Sequence, residues 1–188
     1  MIFDNLKTIF IHIPKTAGTS IQFALSDVKI KGWKHKINHD NSATYLKNDT
    51  KKFWRYHKFA VVRNPIEREI SLYRHFISKR QKNQITFSEY LNQISKDKQF
   101  YLSKRWKRFP NLFEDQVSFI TIDDNFFIDQ IIRYEDLQNG YDQLCQIIGK
   151  ESSKLLSLRQ HKSKFEISDK EINLIKKIRE RDFQMLSY

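Results

Sequence analysis

The chain has 188 residues, 39% hydrophobic and 14% aromatic, with 4 glycines and 3 prolines; this suits one domain around one core and argues against disorder and for a chain made mostly of regular elements. Its 34 basic and 22 acidic residues leave a net charge of +12, which favours anionic partners: nucleic acid, a phosphorylated nucleotide, an acidic polysaccharide or an anionic membrane. The single cysteine, Cys145, excludes an internal disulfide and a cysteine-based zinc site, and no stretch approaches the ~20 apolar residues of a membrane span.

Ile9-Phe10-Ile11-His12-Ile13 is an apolar, β-rich run and reads as a buried strand that Pro14 stops. The run is too short for the apolar core of a signal peptide, so a cytoplasmic protein is expected. A short loop of small residues follows, and from Thr19 the positions Ile21, Phe23, Ala24 and Leu25 predict a helix. Residues 27–56 are polar and basic and read mostly as loop, with a short helix near 42–47. A second strand covers 57–62, with Phe59-Ala60-Val61-Val62 as its core. Asn64-Pro65 then turns the chain into a helix, because Ile66, Ile70, Tyr73 and Ile77 recur at helical spacing to about residue 80.

Thr86-Phe87-Ser88-Glu89 has the form of a capping box and opens a helix to about residue 95. Residues 98–111 are basic and aromatic and read as an exposed loop, and 113–120 as a helical turn. A third strand lies within 126–133. The helix predicted over 135–148 carries Cys145 on its buried side and stops at Gly149. Ser168-Asp169-Lys170-Glu171 is a second capping box, opening one last helix with Ile172, Ile175, Ile178 and Phe183. Strands alternating with helices predict an α/β fold with a parallel sheet, in which ligands sit beyond the carboxyl ends of the strands. No repeat or linker divides the chain, so a single domain over residues 1–188 is expected.

Two segments at such strand ends carry chemistry. Pro14-Lys15-Thr16-Ala17-Gly18-Thr19-Ser20 runs from a strand into a helix. Its small residues let backbone N–H groups converge, the helix start adds about half a positive charge, and Lys15 adds a whole one, so the segment suits a phosphate. It is not a Walker A sequence, because G-x-x-x-x-G-K-[ST] is absent and the lysine precedes the glycine. The second segment, Arg63-Asn64-Pro65-Ile66-Glu67-Arg68-Glu69-Ile70-Ser71-Leu72-Tyr73, places an arginine at a strand end and a hydroxyl about two helical turns on. A guanidinium fork with a hydroxyl can hold a terminal phosphate. Arg68 reads as structural, holding the helix through Glu67, Glu135 or Asp136. Anion sites on neighbouring strand ends match a nucleotide phosphorylated at both its 5′ and 3′ positions.

On these residues the chain resembles the carbohydrate sulfotransferases of the membrane-bound class, whose relatives include heparan 2-O- and chondroitin sulfotransferases and many bacterial proteins. Residues 10–21 resemble that family's 5′-phosphosulfate loop, and R-N-P-x-x-R-x-x-S-x-Y is similar to its 3′-phosphate motif. Ile131-Ile132-Arg133-Tyr134-Glu135-Asp136-Leu137 resembles its R-[FY]-E-[DN]-L segment, and residues 182–188 its closing D-F-x-x-[FL]-x-Y. Residues 158–164 loosely resemble a segment that closes over the nucleotide, without its usual proline and asparagine; Lys162 and Ser163 are the candidates there.

The resemblance implies a P-loop-like three-layer fold with a central, mainly parallel sheet flanked by helices. It implies PAPS (3′-phosphoadenosine-5′-phosphosulfate) as co-substrate, PAP as product, no metal, and a hydroxyl acceptor of saccharide type. Lys15, Thr16, Ala17, Gly18, Thr19 and Ser20 would hold the 5′ end, with Lys15 stabilising the leaving phosphate, and Arg63 and Ser71 would hold the 3′-phosphate. A histidine between the two motifs would be the base. His39, in Asn38-His39-Asp40-Asn41-Ser42-Ala43, matches that placement best, with His35 second. His12 and His57 read as structural, and His75 and His161 hold no motif position.

Three other readings compete. A P-loop kinase or NTPase would use the same strand-loop-helix, with Asp123 or Asp129 as a Walker B acid. A nucleic-acid-binding module would use Lys104, Arg105, Trp106, Lys107, Arg108 and Phe109, which interleave charge and aromatic rings. A degenerate relative would bind glycan without turnover. The sulfotransferase reading instead gives residues 104–109 to an anionic glycan or a solvated face and expects no nucleic-acid partner.

Overall fold

The structure, a computed structural model, describes residues 1–26, 39–78, 85–97, 111–156 and 166–188. His35, His161, Lys162, Ser163 and the basic-aromatic run 104–109 lie outside the described residues. In chain order, strand β1 is Ile2–Phe3, β2 Thr8–Ile11, helix α1 Gly18–Leu25, α2 Ser42–Asn48, α3 Thr50–Arg55 and β3 His57–Val62. Helix α4, Pro65–Leu72, continues into a π-helical segment, Tyr73–Ser78. Then come α5 Phe87–Lys96, α6 Val117–Ile120, β4 Thr121–Ile122, β5 Asn125–Phe126, β6 Gln130–Arg133, α7 Leu137–Ile148, α8 Asp169–Ile178 and α9 Glu180–Leu186.

The chain forms two compact units, each discontinuous in sequence: Met1–Arg63 with Ser118–His161, and Asn64–Val117 with Lys162–Tyr188. The first holds a sheet of order β1-β2-β3-β6. β2, β3 and β6 run parallel, with Phe10 paired to Phe59 and Val61 to Ile132, while β1 joins β2 antiparallel. This is the expected α/β fold, with a mainly parallel sheet flanked by helices. Successive side chains of a strand point to opposite faces. Phe10, Phe59, Val61 and Ile132 face α1 (Ile21, Leu25) and α7 (Tyr141, Leu144, Cys145) in one buried cluster. Ile9, Ile11, Ala60 and Val62 point the other way and are equally buried. Burial on both faces explains why these strands read as unbroken apolar runs. Cys145 is buried in α7, and Gly149 ends that helix with φ 68°, where glycine carries no Cβ penalty.

The second unit buries Ile70, Leu72, Tyr73, Phe87, Tyr90, Leu91, Phe113 and Ile175 together. Both capping boxes form: Thr86 with Glu89 and Ser168 with Glu171 exchange their bonds as the sequence predicted. Its polar core was not predicted. Arg179 Nε donates to Glu69 at 2.7 Å, and its Nη1 donates to Asp115 at 3.0 Å and to the Phe113 carbonyl at 2.7 Å. Tyr90 donates its hydroxyl to the other Glu69 oxygen. Asp182 accepts from the Val117 N–H at 3.0 Å, and burial pushes its carboxyl above the ordinary value. Burial opposes the charge on Arg179, but Glu69 and Asp115 outweigh it and hold the guanidinium protonated.

Four expectations about elements need correction. Residues 50–55 are helix rather than loop: Asp49 accepts from the Lys52 N–H at 3.0 Å, and the one buried residue, Phe53, gives no readable period. A hairpin of β4 and β5 precedes the third strand; it turns at Asp123 and Asp124, both at positive φ, 48° and 60°, which matches a mirror-image turn that usually shows glycine. The antiparallel β1 was too short to see. The last helix is two, because Arg179, at φ −112° and ψ 24°, breaks the helical path where its side chain enters the buried network.

Candidate active site

In the first unit β2 and β3 are adjacent and parallel, with Ile11 opposite Ala60. The turn after β2 and Arg63 after β3 therefore leave the sheet at the same edge, from strands about 4.8 Å apart. That edge is the carboxyl end, where ligands of parallel sheets bind.

The turn after β2 is tightly built. Ile13, Pro14 and Thr16 are buried. Thr16 donates its hydroxyl to the Ile13 carbonyl at 2.9 Å, so its backbone N–H is what it could offer an anion. Lys15 and Ala17 both adopt left-handed backbone, φ 70° and 65°. Residues with a Cβ visit that region at a cost of about 1–2 kcal/mol, and such strain collects where a site requires it. Ala17 is the N-cap of α1 and has no side-chain oxygen to close the helix start. The Ser20 N–H donates to the Ala17 carbonyl at 2.9 Å, and no N-cap side chain closes the rest of the first turn.

Gly18 opens α1 under the ring of His12. A Cβ at Gly18 would lie 1.7 Å from His12 Nε2, so glycine is required there by close approach. Sequence reasoning assigned His12 to the strand; it stands just beyond β2, 5% exposed, against Gly18. Its ring is 4.5 Å from that of His39.

His39 Nδ1 lies 2.9 Å from the His12 carbonyl oxygen. A carbonyl only accepts, so Nδ1 is the protonated nitrogen and Nε2 of the neutral ring carries the lone pair. His39 is placed two residues before Asn41, whose side chain caps α2 by accepting from the Thr44 N–H at 2.9 Å.

Arg63 directly follows β3, and its guanidinium stacks over Tyr134, 4.3 Å from the ring centroid. Tyr134 follows β6, and sequence reasoning gave it no role; its signal was an aromatic residue just past a strand end. Asn64 accepts from the N–H of Ile66 at 2.9 Å and of Glu67 at 3.4 Å, and Pro65 is the first residue of α4, so R-N-P encodes a strand end, a cap and a helix start. Ser71 stands half-buried on α4 in the second unit, whereas Lys15, His39 and Arg63 belong to the first. Arg68 is structural: it is 1% exposed and donates to the Glu114 carbonyl at 3.1 Å, an acceptor the sequence reading did not name. His57 lies at the far end of β3 from Arg63, 3.3 Å from Gln130. Asp129 precedes β6 at that same far end and pairs with Lys58 at 2.7 Å, and Asp123 sits in the hairpin turn. Neither occupies the Walker B position at the carboxyl end of a strand of the parallel sheet.

A mainly parallel sheet flanked by helices, with Lys15 and Arg63 following adjacent strands at its carboxyl end, defines an α/β protein of the class whose ligands sit at that end. Within that class, the chain matches the model of the sulfotransferase family over residues 1–188 and belongs to that family. No curated protein and no solved structure shows a significant match. The protein is therefore a transferase of sulfuryl groups. Among the described residues, no helix is long and apolar enough to cross a membrane.

Proposed function

We propose that the chain transfers the sulfuryl group of PAPS to a hydroxyl of a carbohydrate, with residues 1–188 acting as one sulfotransferase domain. The observation that carries this reading is the pairing of two anion-suited turns on adjacent parallel strands, Ile11 level with Ala60, one turn bearing Lys15 and the other Arg63. The residues present fit a nucleotide with phosphates at both ends. The strained turn at Lys15 and Ala17 and the start of α1 suit the 5′ end, and Arg63 suits the 3′-phosphate. Ser71 joins Arg63 on the strength of the R-N-P-x-x-R-x-x-S-x-Y motif.

PAPS supplies a sulfuryl group on a phosphate leaving group, and the protein's task is positioning and charge stabilisation. Lys15 opposes the negative charge that grows on the leaving 5′-phosphate as the sulfur–oxygen bond breaks. The backbone N–H groups of residues 16–19 and the hydroxyl of Ser20, whose own N–H is taken by the Ala17 carbonyl, hold that phosphate in place. His39 accepts the acceptor hydroxyl's proton at Nε2 while the new oxygen–sulfur bond forms, and the His12 carbonyl keeps Nδ1 protonated throughout. The chain's net charge of +12 supports an acidic saccharide as acceptor.

The test is incubation with labelled PAPS and a panel of neutral and acidic saccharides, alongside melting curves with PAP and with ATP plus magnesium. Labelled sulfate on a saccharide, and a PAP-induced rise in melting temperature without added metal, are the expected results. Stabilisation by ATP and magnesium alone, or salt-sensitive RNA binding with no response to PAP, would overturn the reading.

A further inference from the structure

The His12 ring is held on three sides. It stacks on Phe10, with centroids 5.4 Å apart and planes within 20°. Its Nε2 edge lies against Gly18, which can have no side chain there. It also meets the His39 ring at 4.5 Å. Phe10 in turn stacks on Phe59 at 4.8 Å and 9°. Four rings thus form a column running from β3 through β2 to His39, and the His12 backbone fixes the far nitrogen of that histidine at 2.9 Å.

From this geometry we infer that His12 is a positioning residue: it sets the plane and tautomer of His39 and ties both to the first residue of the anion-binding helix. The inference rests on reading His39 as the base. It gives His12 a task that burial within a strand would not require. Phe10 could fill the core without the histidine beyond it, and an alanine at residue 18 would serve the helix better were the ring not there. The ring's role is to stop His39 rotating about its bond to the carbonyl. A misplacement of about 1 Å at a reacting group costs roughly 100-fold in rate.

The experiment is a double-mutant cycle on turnover, using His12→Leu, His39→Ala and the pair. PAP affinity by calorimetry controls for folding, and His12→Asn replaces His12→Leu should the latter fail to bind PAP. The inference expects His12→Leu to lower kcat by about 100-fold, with PAP affinity changed less than about twofold. It also expects the paired variant to be no slower than His39→Ala alone, because the ring acts only through His39. Additive losses, or full turnover in His12→Leu, would overturn it and leave the base assignment standing. Full turnover in His39→Ala would remove the base assignment, and the inference with it.

Discussion

The guanidinium of Arg63 lies over Tyr134, 4.3 Å from the ring centroid, and the two residues extend neighbouring parallel strands whose last pair is Val62 with Arg133. The ring limits where the guanidinium fork can point before any anion arrives. A cation–π contact contributes about 0.5–2 kcal/mol. Tyr134→Ala is therefore expected to weaken PAP binding by about 2- to 30-fold, and Tyr134→Phe to leave it nearly unchanged, both read by calorimetry. Equal loss in the two variants would place the effect on the hydroxyl instead of the ring face.

Lys15 carries a charge in a backbone conformation that disfavours its side chain, φ 70°. Lys15→Gly removes both the ammonium and the strain. Melting should show stability unchanged or higher by up to about 1 kcal/mol, while turnover falls by about 100-fold or more for want of the charge on the leaving group. A variant that is both active and more stable would remove Lys15 from the mechanism.

Gly18→Ala makes the opposite kind of change. The added methyl would meet His12 Nε2 at 1.7 Å, and overpacking of this sort costs about 1–3 kcal/mol. Urea unfolding should show that loss even though alanine is the better helix former. The same substitution at Gly149, with nothing within 4 Å but φ 68°, would cost stability through backbone strain alone.

The capping carboxylate Glu89 is held below its ordinary pKa of 4.5, first by the Thr86 N–H and then by the Thr86 hydroxyl. A depressed folded-state pKa means the contribution is present above the unfolded value and lost as pH falls through the folded one. Glu89→Gln keeps a side-chain acceptor for the cap but no longer titrates. Melting temperatures recorded from neutral pH down to below 4.5 should fall less steeply for this variant than for the parent. Parallel curves would show that Glu89 titrates alike in the folded and unfolded states.

Much of the local geometry of the candidate site was legible because its physics is local. The β2 run, the small-residue turn, Arg63 at a strand end and the Asn64-Pro65 helix start are each encoded within a few consecutive residues. His39 was legible through its place ahead of a short helix, and the Asn41 cap that ends its segment is a sequence-level feature. What stayed hidden depends on residues far apart in the chain. His12 looked like one more strand residue until α1 brought Gly18 against its ring. Tyr134 stood in the R-[FY]-E-[DN]-L segment without a role until β6 paired beside β3 and brought its ring to Arg63. The Glu69, Asp115 and Arg179 network joins three segments far apart in the chain, and it is also why one predicted helix became two.

The two compact units interleave along the chain, the first closing only with residues 118 onward and the second only with its last segment. On a ribosome residues 14–20 would emerge well before the strands that complete the sheet. β2 must hold for β3 nearly fifty residues later, and β3 for β6 some seventy residues after that. Such distant pairings fold slowly and leave apolar strand edges open meanwhile. Residues 14–20 are therefore not a portable module: a fragment ending at residue 63 would carry β1, β2 and β3 but leave β3 without β6 along its other edge.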